Sequence, residues 1–283
     1  MGKRIHAQQQ DPPGQTGEME PEPRDLMRNY SGAGLLSGRR ALITGGDSGI
    51  GRSVAVAFAK EGADVAFTYL VEHADAEVTA AEVRDQGRAC VQFDGDMAEA
   101  AHCARVVSRA AAELGGIDVV VNNVATQMPV EQPEELDERQ WQRTFDINIH
   151  SYFRTIRAAL PLLSSGCSII NTASVNGLRG NATLIDYSAT KGAVIALTYS
   201  LAQALAPRGI RVNAVAPGPV WTPLIPSTFP KDKVEGFGER VPLGRAADPD
   251  EIAPSYVFLA ANKLSSYYTG EVLSALGGEI AAG

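Results

Sequence analysis

From Arg39 onward, short apolar runs alternate with longer segments of helical periodicity, and this alternation restricts the fold more than any other feature. The apolar runs fall at 41–43, 65–67, 90–93, 118–121, 168–171 and 210–215, and Val272-Leu273 reads as a last strand. Between them, 49–60, 73–85, 99–114, 136–163 and 187–206 carry the helical pattern. Successive positions of the runs are apolar, so both faces of each strand must be covered. That describes a parallel sheet held between two layers of helices. The alternation continues to the C-terminus and leaves no second core, which predicts one doubly wound α/β domain of three layers, α/β/α, over residues 38–283.

Residues 1–37 are different. They contain Pro12, Pro13, Pro21 and Pro23, three consecutive glutamines and no apolar periodicity. Such a segment cannot bury enough surface to fold alone. It is either a disordered tail or an extended arm that becomes ordered against the body or a neighbouring subunit.

Charge and cysteine content remove several classes of function. The formal charge is -8, and the basic residues are scattered, with no run longer than Arg39-Arg40. A protein that grips nucleic-acid phosphates needs a clustered positive surface, so nucleic acid is not an expected partner. No stretch approaches the roughly 18–20 apolar residues of a membrane span, and the polar start of the chain has no secretory apolar region. Cys90, Cys103 and Cys167 are odd in number and far apart, and the histidines show no ligand spacing. Inert thiols in a reducing cytoplasm and no metal site are therefore expected.

Glycine is abundant, 28 residues, which suggests tight turns or backbone that closely approaches a ligand. Part of that excess has a clear place. The first strand runs into Thr44-Gly45-Gly46-Asp47-Ser48-Gly49-Ile50-Gly51, and a helix follows. Glycines there let the chain turn sharply and bring N–H groups to a pyrophosphate, while the helix N-terminus adds a partial positive charge. The G-x3-G-x-G spacing departs from the commonest dinucleotide fingerprint, and its position between strand and helix gives it weight.

Tyr187 and Lys191 lie four apart at the start of a helical segment, so they share a face. An ammonium about 6 Å from a phenol, at an effective dielectric near 20, favours the phenolate by about 3 kcal/mol. Lys191 is therefore expected to draw the Tyr187 phenol down from its ordinary value of about 10 towards the range useful for proton transfer.

With TGxxxGxG at Thr44 to Gly51 and YxxxK at Tyr187 to Lys191, the chain resembles the short-chain dehydrogenase/reductase family, a group with the Rossmann fold. Asn122-Asn123-Val124-Ala125 is similar to the family's NNAG. Ser174 stands thirteen residues before Tyr187, and Asn148 matches the helix asparagine of the catalytic tetrad. Pro217-Gly218, with Val220 and Thr222, resembles the loop that holds the nicotinamide end of the cofactor. The likeness spans 38–283. With the arm, the stretch 181–191 and the run 217–226, the chain resembles a bacterial subgroup called glucose/ribitol-dehydrogenase-like. Two departures stand out: Val124-Ala125 for Ala-Gly, and Leu276-Gly277-Gly278 for Asn/Asp-Gly-Gly.

The resemblance implies an oxidoreductase that transfers a hydride between NAD or NADP and a small carbonyl or alcohol. Tyr187 would be the general acid/base, Lys191 would lower its pKa and hold the nicotinamide ribose, and Ser174 would bond the substrate oxygen. Asn148 would anchor a proton-relay water. Trp141, Phe145, Asn148 and Tyr152 recur at helical spacing, which places Asn148 on an otherwise aromatic face, where a buried amide needs partners. The cofactor set implied is Gly45, Asp47, Ser48, Gly49, Ile50, Tyr69, Asp96, Met97, Asn123, Tyr187, Lys191, Pro217, Gly218, Val220 and Thr222. Asp96 either bonds the adenine amine or caps its own strand. Neither an acid nor an arginine ends the second strand at Tyr69-Leu70, and Asp47 would repel a 2′-phosphate, so NAD is expected over NADP. A homotetramer is the family habit. The rival expectation is a non-catalytic dinucleotide sensor of the same fold, against which the intact Ser174, Tyr187 and Lys191 argue.

Overall fold

In the computed structural model, which describes residues 4–280, seven parallel strands form one sheet in the order β3-β2-β1-β4-β5-β6-β7. They are β1 (Arg40–Ile43), β2 (Asp64–Tyr69), β3 (Cys90–Asp94), β4 (Val119–Asn122), β5 (Ser168–Thr172), β6 (Arg211–Val215) and β7 (Val272–Leu273). Helices α1 (Gly49–Lys60), α2 (His73–Asp85) and α3 (Ala100–Leu114) connect the first four strands, so α1 and α2 match the sequence expectation to the residue. Next come α4 (Glu138–Phe145), α5 (Ser151–Ala159), α6 (Val175–Arg179) and α7 (Ile185–Leu205). Two short helices, α8 (Leu224–Thr228) and α9 (Lys231–Val234), precede α10 (Ala253–Ala260).

Successive residues of one strand serve opposite layers. Ala41 and Ile43 of β1 pack with α1, α2 and α10, whereas Leu42 packs with α3, α5 and α7. Central strands β4, β5 and β6 are buried along their whole length, while the edge strand β3 is only half-buried. Two asparagines inside this sheet form a polar chain: Asn122 Nδ2 donates to Asn171 Oδ1 at 2.9 Å, and Asn171 Nδ2 donates to Thr198 Oγ1 at 3.0 Å.

Three sequence expectations need correction. The expected strand at 118–121 runs Val119–Asn122, because Asp118 turns out to hold the Arg40 guanidinium at 2.7 Å. Helix α3 starts one residue later than expected, after the extended Glu99. The expected helix 136–163 is two helices separated by a π turn at Asp146–His150. Asp137 caps its start by accepting from Gln140 N at 2.7 Å, and the helix ends before Pro161, which lacks an N–H to continue it. The inserted π turn also breaks the expected face: Trp141 and Phe145 stack on each other at 4.7 Å near the surface, while Asn148 and Tyr152 are wholly buried.

Residues 4–37 lie extended on the body of their own chain, with Ile5, Met19, Met27 and Leu36 buried. Strand order reverses between β1 and β4, and such a switch point opens a crevice at the carboxyl ends of the strands.

Candidate active site

The crevice is a cleft of about 1060 Å³, and its floor begins at the loop between β1 and α1. Thr44 Oγ1 accepts from Asn123 N at 2.9 Å, and Asn123 Nδ2 donates to the Gly45 carbonyl at 2.8 Å, which ties this loop to the end of β4. Gly45 N donates to Thr68 Oγ1 at 3.1 Å and Gly46 N to the Thr68 carbonyl at 2.9 Å. Gly51 admits no side chain, because a β-carbon there would overlap the Gly45 carbonyl oxygen. Gly45 itself has φ +64°, and a β-carbon on it would sit 3.0 Å from Val124 Cα, so the backbone of the two loops comes together here.

Ser48 precedes α1 in extended conformation and its side chain does not cap the helix. The first N–H groups of α1 thus lack both intrahelical and side-chain partners, and Ser48, Gly49 and Ile50 line the cleft. This fits a pyrophosphate. Asp47 is buried, and burial, with Glu72 adding to it, pushes its carboxyl up to about 7. That corrects the expectation of a fully charged acid, since near neutral pH Asp47 is only partly ionised. Tyr69 Oη and His73 Nδ1 are 2.9 Å apart at the rim. Asp96 does two things: Oδ1 accepts from Ala98 N at 2.9 Å, closing its own turn, and Oδ2 pairs with Arg143 at 2.6 Å. Met97 lines the cleft beside it.

Ser174 lies two residues beyond β5 and caps α6, where its Oγ accepts from Asn176 N at 3.2 Å. Tyr187 and Lys191 project from the first turns of α7. Lys191 is wholly buried; its Nζ donates to the Thr172 carbonyl at 2.7 Å and to Tyr152 Oη at 3.4 Å, and lies 5.5 Å from the centre of the Tyr187 ring. Burial pushes the Lys191 amine down to about 7 and the Tyr187 phenol up to about 12, with a bond from Ser174 pulling the phenol the other way. The expected lowering of Tyr187 by Lys191 is therefore overturned for the protein groups alone. Both groups are desolvated, each charged form is disfavoured, and the ammonium is aimed at a carbonyl.

Pro217, Gly218, Val220 and Thr222 form the opposite wall after β6. Gly218 N donates to the Ala275 carbonyl at 2.9 Å, and Leu276 Cα would lie 3.2 Å from a β-carbon at 218. The structure brings every residue of the expected cofactor set, with Ser174, to this one cleft. Asn148 is set behind it. Its Oδ1 accepts from Thr126 N at 2.8 Å, and Nδ2 donates to the Thr126 carbonyl at 2.8 Å and to Thr190 Oγ1 at 3.1 Å. These bonds give the buried amide partners within the protein.

Sequence reasoning missed Thr68, Gln127, Tyr152 and the arm residues Pro12 and Pro13. Thr68 had a signal, a hydroxyl inside an otherwise apolar strand. Gln127, buried with Nε2 donating to Thr228 Oγ1 at 3.1 Å, and the arm prolines had none. Among the described residues, no cluster of His, Cys, Asp or Glu could hold a metal ion, and no helix is long and apolar enough to cross a membrane.

Comparison with known proteins bears on this geometry. Residues 45–279 match a family model described as enoyl-(acyl carrier protein) reductase. The chain is 48% identical to an NADPH-dependent aldehyde reductase of Arabidopsis thaliana chloroplasts, over 98% of this chain and 97% of that protein. It is 46% identical to a glucose and ribitol dehydrogenase of Daucus carota, over 97% and 96% of the two chains. A solved short-chain dehydrogenase from Burkholderia cenocepacia in complex with NADP superposes with a TM-score of 0.80 at 30% identity, covering 86% of this chain and 98% of that one.

Proposed function

The chain belongs to the short-chain dehydrogenase/reductase family, in its glucose/ribitol-dehydrogenase-like branch, and from that premise we propose that it interconverts a small carbonyl and its alcohol with Tyr187 as general acid/base. Membership makes it a nicotinamide-dependent oxidoreductase. The observation that carries the finer reading is that Tyr187, Ser174 and Lys191 line the same cleft as the uncapped N-terminus of α1.

The residues present fit a dinucleotide. Ser48, Gly49 and Ile50 would hold its pyrophosphate, Asp96 and Met97 its adenine, Asn123, Tyr187 and Lys191 its nicotinamide ribose, and Pro217, Gly218, Val220 and Thr222 its nicotinamide. When bound, the nicotinamide supplies or accepts the hydride. In the reductive direction Tyr187 Oη gives its proton to the carbonyl oxygen as that oxygen gains charge. A phenol held near about 12 by burial is protonated at neutral pH and ready for this role. Ser174 Oγ donates to the same oxygen and fixes its place. Lys191, protonated, stabilises the phenolate left behind. Asn148 holds Thr126 and, through Thr190, the first turn of α7, and the spare lone pair of its Oδ1 suits a relay water.

NAD is our preferred cofactor. Asp47 and Glu72 line the adenosine end with Tyr69 and Leu70, and the nearby Arg52 is committed to Asp25 and Asp75 at 3.1 and 2.7 Å, so no free cation awaits a 2′-phosphate there. The NADPH-dependent relative supports the other cofactor, and titration with NADH and NADPH decides: tighter NADPH overturns this choice. We also place the protein in the cytoplasm as a homotetramer. Its three free cysteines and the exposed Phe153 and Tyr199 on α5 and α7 support this, and light scattering checks the mass.

The decisive experiment is Tyr187→Phe. Loss of the proton donor is expected to lower kcat by about 10²–10⁴-fold while dinucleotide affinity holds. Retained turnover refutes the assignment. Turnover absent from wild type as well, with dinucleotide still bound, would favour a sensor.

A further inference from the structure

We propose that the N-terminal arm is a same-chain strap that holds the substrate lid in place and supplies part of the wall of the substrate cleft. The lid is the stretch 221–248, whose helices α8 and α9 span five and four residues. Helices that short do not persist on their own. Contacts with the arm occur along the whole stretch. Ile5 and Met19 are buried against Trp221, Ile225 and Val234. Gly236 N donates to the Ile5 carbonyl at 3.2 Å, and Gln10 N to the Pro226 carbonyl at 2.8 Å. Trp221 Nε1 donates to the Pro21 carbonyl at 2.7 Å, and Arg24 pairs with Asp248 at 2.7 Å. At Gly14 the arm backbone presses on the lid: a β-carbon there would come within 2.6 Å of the Pro223 carbonyl oxygen and 3.0 Å of Ser227 Cβ. Pro12, Pro13 and Gly14 line the same cleft as Gly45 and Gly49.

A strap needs a fixed end, and α1 provides it. Arg52 of α1, buried, pairs with Asp25 of the arm at 3.1 Å, and the neighbouring α2 adds Asp75, which accepts from Thr16 N at 2.9 Å. Lys60 Nζ donates to the Met27 and Tyr30 carbonyls at 2.6 and 3.0 Å, and Glu61 accepts from Ala33 N and Leu35 N at 2.9 and 2.8 Å. Met27 has φ +52°, a left-handed conformation that a non-glycine residue keeps only where its surroundings impose it. The four apolar anchors of the arm are all turned into their own body, which disfavours an arm shared with a neighbouring subunit. The arm thus runs from the helix that opens on the pyrophosphate site to the lid over the substrate.

What the lid covers rests on the function proposed above; that the arm holds it does not. The test uses full-length protein with Ile5→Asp and Gly14→Val made singly. Hydrogen–deuterium exchange of 221–248 is expected to accelerate by about tenfold in both, with β1, β4 and β5 still protected over the time in which the lid exchanges. The KM for a carbonyl substrate should rise by about fivefold while the dinucleotide dissociation constant stays within about twofold. Unchanged lid exchange overturns the strap. So does loss of protection in the sheet over that same time, because the arm would then belong to the general core. In a Pro12→Ala/Pro13→Ala variant, lid exchange should hold while the kcat/KM ratio for bulky against small carbonyls rises; an unchanged ratio overturns the wall. A loosened lid in a protein that reduces no carbonyl would leave the strap standing and remove the oxidoreductase chemistry instead.

Discussion

Lys191 Nζ donates to the Thr172 carbonyl at 2.7 Å, and burial holds its amine down at about 7 against an ordinary value of 10.5. Between those two values the unfolded chain keeps a proton that the folded one releases, so this lysine makes stability rise with pH through that window. Urea unfolding of wild type against Lys191→Met is expected to show it. From pH 7 to pH 9.5 the wild type should gain about 2 kcal/mol or more relative to the variant; parallel curves would mean the amine is not depressed. The same titration acts on turnover. In the proposed mechanism reduction needs the ammonium, so kcat/KM, which reports the free enzyme, should fall as pH rises through about 7. At this scale the shared face of Tyr187 and Lys191 was legible, because the two are one helical turn apart on α7. Their electrostatics was not. The sequence provides a spacing, and the sign of each shift depends on how deeply the pair is buried and which carbonyl the ammonium faces.

Elements were legible where periodicity is uninterrupted. The buried strands and α1 and α2 carry their pattern in consecutive residues. The segment 136–163 kept helical spacing across a π turn, where one extra residue swings Asn148 and Tyr152 inward while Trp141 and Phe145 stay near the surface. No composition cue marks such a turn; within it Asn148 bonds to Thr126 and Thr190, residues distant in the chain. The loop between β1 and α1 is the opposite case, since its glycines announce it. Gly51→Ala tests how tightly it is built. The new methyl would overlap the Gly45 carbonyl oxygen, which already accepts from Asn123 Nδ2 at 2.8 Å, so the loop must move. Overpacking of this kind costs about 1–3 kcal/mol of stability. Calorimetric titration should also show dinucleotide affinity falling by about tenfold or more, because the displaced loop carries the N–H groups of Ser48, Gly49 and Ile50. Unaltered affinity would mean that the pyrophosphate sits elsewhere.

For the whole molecule, the one-domain architecture was legible and the course of the arm was not. Residues 1–37 have no periodicity because their partners are not one another: Trp221, Asp248 and Arg52 lie far along the chain. Such contacts tie the arm to both the lid and α1, and they predict that arm, lid and sheet unfold together. Trp221 reports on this directly. It is buried, with its indole N–H on the Pro21 carbonyl, and in a Trp141→Phe variant it is the remaining tryptophan of the chain. Its fluorescence should melt at the same temperature as far-UV circular dichroism. Saturating dinucleotide at about 100 times its Kd adds about 2.7 kcal/mol of stability, which raises Tm by about 4–5 °C for a chain of this size. Both probes should move by that amount together, because the ligand grips α1 and the arm links α1 to the Trp221 junction. An early Trp221 transition that the dinucleotide leaves in place would instead make arm and lid a separate unit, resting on the domain without sharing its stability.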